Sequence, residues 1–243
     1  MTGRASAAPF SIVLRATHYL IMAFVTALAM TGFAIYFRQE LGLADLKVTL
    51  VYTHAFIAYG FLAVLALRVA AALAAPAQAS LSRALPRRQD FEHLPAEIFD
   101  SIRGRARPRF AGRSPLSRTL SGCLYSAFLI MAATGLGRAG TDLLHPPVGP
   151  FVAHFIAAQG VAPQSLKPFD RTGTDPARYE RVANAKFVLG QIHIYFGAAI
   201  VTMALTHAGG ALTFEWSSRS GSGRGLAREM LFGPRQKKRA RSR

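Results

Sequence analysis

Cysteine is almost missing from this chain: one residue, Cys123, in 243. That excludes a disulfide framework and any metal site built wholly from thiolates. Acidic residues are also scarce, with 12 Asp and Glu against 29 Lys and Arg. Charged residues make up 17% of the chain, where soluble domains carry about a quarter. With 51% hydrophobic residues it is neither a disordered acidic segment nor a soluble enzyme with evenly spread charge. His-Glu-x-x-His and Gly-x-Ser-x-Gly motifs are missing, as is any solenoid-type repeat. The net charge of +17 suits either nucleic acid or a membrane surface. Where the charges sit decides between them.

What the chain does have is long apolar runs. Four of them, at about 16–37, 48–74, 116–136 and 187–212, are long enough to cross a hydrocarbon core of about 30 Å as helices. They are too long for strands and too uniformly apolar for amphipathic soluble helices. The sequence therefore predicts an all-α integral membrane four-helix bundle, with a span domain over 1–212 and a basic tail over 213–243. Arg4 and Arg15 precede the first run as in a signal peptide, but the run exceeds a signal h-region and no Ala-x-Ala site follows it.

The connections predict orientation. Twenty Lys and Arg lie in the N-terminal stretch, the second connection, Arg118 and the tail, against eight in the first and third connections, while acidic residues divide evenly. Short basic segments stay cytoplasmic, which places both termini there. Lys237, Lys238, Arg239, Arg241 and Arg243 suit anionic lipid head groups rather than nucleic acid. Between the second and third spans, Phe91, Leu94, Ile98, Phe99 and Ile102 recur at helical spacing. They fit an amphipathic helix on the cytoplasmic membrane face, or a loop with scattered apolar residues. The outer loop over 137–186 is long and Pro-rich, and either docks a partner or covers the bundle.

Four of the seven histidines lie inside the spans: His18, His54, His193 and His207. Ionisable side chains at membrane depth are costly, so they are functional candidates. His193 and His207 are fourteen residues apart on the fourth span, about 21 Å along the axis, and fall within about 40° on one helix face. The topology then matches His18 with His207 at the inner level and His54 with His193 at the outer level. Two imidazoles at each of two depths are too few for zinc, which takes four ligands or three plus water. They suit two stacked haems, each iron held by an imidazole on either face, or else four independent polar contacts. Two further residues repeat the fourteen-residue spacing. Gly32 follows His18 on the ligand face at the outer level, and gives room to the edge of the outer macrocycle or to close helix packing. Arg68 follows His54, and either meets a haem propionate or snorkels to the interface.

These residues resemble the prokaryotic cytochrome b561 superfamily, especially the b-type cytochrome subunits of membrane-bound nickel–iron hydrogenases. The shared features are Arg15-x-x-His18 with Gly32, His54 with Arg68, the segment Ser114-Pro115-Leu116-Ser117-Arg118, Thr134-Gly135, and the His193 and His207 pair. Formate dehydrogenase gamma subunits are similar in plan. Where the hydrogenase subunits typically have Trp beside the first His, this chain has Tyr19. The resemblance implies two non-covalent b-type haems and electron transfer between the quinone pool and a partner redox protein, which would be a hydrogenase, a dehydrogenase or a multihaem cytochrome. It also implies a quinone near the cytoplasmic end, with Arg15 and Tyr19 in its wall. A stand-alone quinol-oxidising cytochrome and a small transporter with a histidine proton relay are the other functions open at this point.

Overall fold

A computed structural model describes residues 11–74, 81–103 and 114–218. The expected lipid-binding cluster from Lys237 to Arg243, and all but the first residues of the 213–243 tail, lie outside them. Among the described residues the fold is all-α and contains no strand, only one isolated bridge between Ala157 and Thr174. Helices α1 (Ile12–Tyr36) and α2 (Lys47–Leu73) are followed by the short α3 (Leu81–Ala84) and by α4 (Arg88–Ile102). Then come α5 (Pro115–Leu143), α6 (Gly149–Ile156) and α7 (Pro176–Ser218). Segments containing α1, α2, α5 and α7 are long and apolar enough to cross a membrane. Their large apolar side chains face outward, as at Phe56 (81% exposed), Phe187 (67%) and Leu205 (69%), where a soluble protein would cover such a surface.

Local signals in the sequence start the long helices. Ser11 Oγ accepts the Leu14 N–H, Ser114 Oγ accepts the Ser117 N–H, and Asp175 Oδ1 accepts the Arg178 N–H, each satisfying an orphan donor of the first turn. Pro115 and Pro176 follow two of these caps, at the position where a missing N–H costs nothing. Both α5 and α7 run past the apolar spans, to Leu143 and back to Pro176, so that the connection between them is shorter than hydropathy predicts. Within these added turns Asp142 takes Arg138 at 2.9 Å one turn away and also Lys186 from α7, which pairs charges that hydropathy counts against a helix.

The chain divides into two compact units. One gathers the described residues of Met1–Met22, Ala63–Cys123 and Met203–Arg243. Within it α4 is the expected amphipathic helix. Two of its acidic residues turn inward: Asp90 accepts the Arg87 N–H and pairs with Arg118 at 3.2 Å, while Glu97 accepts the Leu116 N–H at the start of α5. Phe91, Ile98 and Phe99 are left exposed. The other unit gathers Ala23–Leu62 and Leu124–Thr202. There α6 buries Ala153 and Ile156 against Leu166, and the connection to α7 is held by hydrogen bonds from Ala158 to Gly173 and from Asp175 to Ile156.

Candidate haem-binding site

The four span histidines meet in two pairs. His18 on α1 faces His207 on α7 with ring centroids 6.3 Å apart and planes at 73°. His54 on α2 faces His193 on α7 at 6.2 Å and 76°. All four rings are half-buried. These distances fall in the range of edge-to-face ring contacts and are too long for a linear imidazole–imidazole hydrogen bond. They also match a shared metal. With metal–nitrogen bonds of about 2 Å, and each ligating nitrogen about 1.1 Å from its ring centre, imidazoles on opposite sides of one iron have centroids about 6.2 Å apart. The donor set therefore fits a haem at each pair. Among the described residues no three His, Cys, Asp or Glu side chains converge as a protein-only metal site would require.

Around the His54–His193 pair the surroundings are repeated. Thr31 Oγ1 lies 2.8 Å from His54 Nδ1, and Thr134 Oγ1 lies 3.0 Å from His193 Nδ1. The glycine after each threonine backs the same ring. A Cβ on Gly32 would stand 3.5 Å from His54 Cε1, and one on Gly135 would stand 3.2 Å from His193 Cε1. Gly32 thus adjoins a histidine of the pair the spacing assigned to its level. One turn from His193, Gly190 makes room for the Arg138 guanidinium. Sequence reasoning named Thr134 only as part of a shared motif and missed Thr31 and Arg138. The available signal was that the Thr-Gly dipeptide occurs in two apolar spans.

The other pair has cations beside it. Arg68 is 8% exposed, donates from Nη1 to the Leu14 carbonyl, and lies 3.5 Å from Thr17 Oγ1, next in sequence to His18. It is turned into α1 rather than out to an interface. Arg15 stands one turn before His18, and its buried Nε has no hydrogen-bond partner. Tyr19, expected in a quinone wall, is 43% exposed. Of the histidines in connections, His145 packs edge-on to Tyr52 at 5.4 Å, and His154 points outward from α6 beside the exposed Phe151 and Phe155.

A family model described as prokaryotic cytochrome b561 matches residues 9–224, nearly the whole described chain and all four span histidines. No curated protein matches. That match and the four apolar helices identify a multi-pass membrane protein of a kind that carries electrons across the membrane by b-type haem. The chain belongs to the prokaryotic cytochrome b561 family.

Proposed function

We propose that the protein holds two b-type haems, one ligated by His18 and His207 and the other by His54 and His193, and conducts electrons between the quinone pool and a partner redox protein. The observation that carries this reading is the pair of centroid distances, 6.3 and 6.2 Å, each matching two imidazoles on one iron. Haem supplies reversible one-electron uptake and release at iron. The chain supplies the rest. Helix α7 carries one ligand of each pair. The apolar spans keep water from the rings, and their low dielectric makes each nearby charge count in the potential.

Arg15, with its unpartnered Nε, offers a fork to a propionate carboxylate. A quinone site at the His18–His207 end has Arg15 and Tyr19 in its wall. The excess of basic residues in the N-terminal stretch, second connection and tail supports cytoplasmic termini in an inner membrane, with the exposed apolar side chains of α4 in the cytoplasmic lipid surface. The partner is a hydrogenase, a dehydrogenase or a multihaem subunit. Its co-purification with the cytochrome distinguishes a membrane anchor from a stand-alone quinol oxidase.

The test is haem counting. Wild-type protein should bind two haems per chain with a reduced-minus-oxidised b-type spectrum. His193→Ala and His207→Ala should each lower the count towards one, and each should remove a different component of the spectrum. Retention of two haems with an unchanged spectrum in either variant refutes the pairing.

A further inference from the structure

We infer that Thr31 and Thr134 are positioning residues for the His54–His193 pair: each hydroxyl selects the ring tautomer, fixes the ring plane and makes the imidazole a stronger donor. This rests on the ligation proposed above. A threonine hydroxyl has one proton to give and lone pairs to accept with. Thr31 Oγ1 lies 2.8 Å from the Ala27 carbonyl and Thr134 Oγ1 lies 2.8 Å from the Ile130 carbonyl, both one turn back on their own helices. A carbonyl can only accept, so each hydroxyl proton goes there. The oxygen is then left to accept from histidine, and Nδ1 of His54 and of His193 must carry a hydrogen. The Nε2 lone pair of each ring stays free for a metal.

The glycines complete the arrangement. With no Cβ at Gly32 or Gly135, Cε1 of each ring lies against helix backbone, and rotation about the ring's own bonds is limited by that wall on one side and by the hydroxyl on the other. Two separate helix pairs, α1 with α2 and α5 with α7, reach the same solution, and the rings they hold stand 76° apart. Donation from Nδ1–H to an oxygen raises ligand basicity and so favours ferric over ferrous iron. The threonines therefore hold the potential of this haem down, and near-perpendicular rings give its ferric form a strongly anisotropic low-spin resonance.

The experiment uses the full chain purified with its haem, in Thr31→Val, Thr134→Val, Thr31→Ser and Thr134→Ser forms, with His193→Ala alongside. Valine keeps the shape and removes the acceptor, whereas serine keeps the acceptor. Each valine variant should raise the midpoint potential of one haem and shift its low-spin electron paramagnetic signal, while the other haem stays at its wild-type values. Each serine variant should match wild type. Selective loss of that haem from a valine variant, with the serine variant fully loaded, supports the same role. Valine and serine variants that behave alike overturn it. If His193→Ala removes one haem but both valine variants keep wild-type potentials and spectra, this inference fails and the ligation stands. A wild-type protein with no b-type band removes both.

Discussion

Replacing Arg68 tests whether a buried cation tunes the haem assigned to His18 and His207. The guanidinium is 8% exposed, and lies 3.5 Å from the hydroxyl of Thr17, the residue before His18. A unit charge acting over about 8 Å in an effective dielectric of about 20 would be worth about 2 kcal/mol. It disfavours the ferric state more than the ferrous one, so it raises the reduction potential. For a one-electron couple, where about 1.4 kcal/mol corresponds to about 59 mV, the unscreened effect is about 90 mV. Water near the helix end and the dipole of the Leu14 carbonyl, which accepts from Arg68, reduce this by roughly half. Arg68→Gln should therefore lower the potential of this haem by about 40 mV and leave the other nearly unmoved. The glutamine amide can still donate to Leu14, which limits the structural cost, and Arg68→Lys keeps the charge and should keep the potential. A spectroelectrochemical titration of purified protein reads both haems in one experiment. Equal shifts at both haems, or no shift with both haems retained, would refute the argument that Arg68 acts as a local fixed charge.

Two further outcomes test the packing in the other unit. Asp142 is 5% exposed at its side chain and holds Arg138 and Lys186 together. Asp142→Asn leaves those cations facing each other, at a cost of about 1–3 kcal/mol after allowing for their partial exposure. The thermal midpoint in detergent should fall, and an unchanged midpoint would mean that the cluster contributes nothing. At Gly149, a Cβ would fall inside the contact shell of the Leu144 carbonyl carbon, which is backbone and cannot turn aside. Gly149→Ala should displace the start of α6 at a cost of about 3 kcal/mol or more, measured as faster limited proteolysis between α5 and α7. Cleavage at the wild-type rate would show that the turn tolerates a side chain.

The span count and the partners of the histidines were legible in the sequence because both follow from counting. Hydrocarbon thickness sets helix length, and the fourteen residues between His193 and His207 return to one face of a helix whatever packs against it. Alternation of direction then pairs His18 with His207 and His54 with His193, and the rings meet in that way. The ends of α5 and α7 were less legible. Hydropathy falls where Arg138, Asp142 and Lys186 enter, yet both helices continue through these residues, which pair with one another. The partner of Arg68 was hidden for another reason: its acceptor is the backbone carbonyl of Leu14, and a carbonyl leaves no mark in a sequence.

Thr31 and Thr134 illustrate a related limit, with a consequence for how the two levels differ. Their contacts with His54 and His193 depend on the register between neighbouring helices. Spans that are apolar on every side carry no periodicity from which that register could be read. Under the proposed ligation, the His54–His193 haem has two hydroxyl acceptors behind its ligands, which strengthen both imidazoles and favour ferric iron. The His18–His207 haem has Arg15 one turn from one ligand and Arg68 beside Thr17, and fixed positive charge favours ferrous iron. The two sets of neighbours push the potentials apart. Four histidines of one type thus do not imply two equivalent carriers, because what distinguishes the carriers is the hydroxyl, glycine and guanidinium groups packed behind the rings.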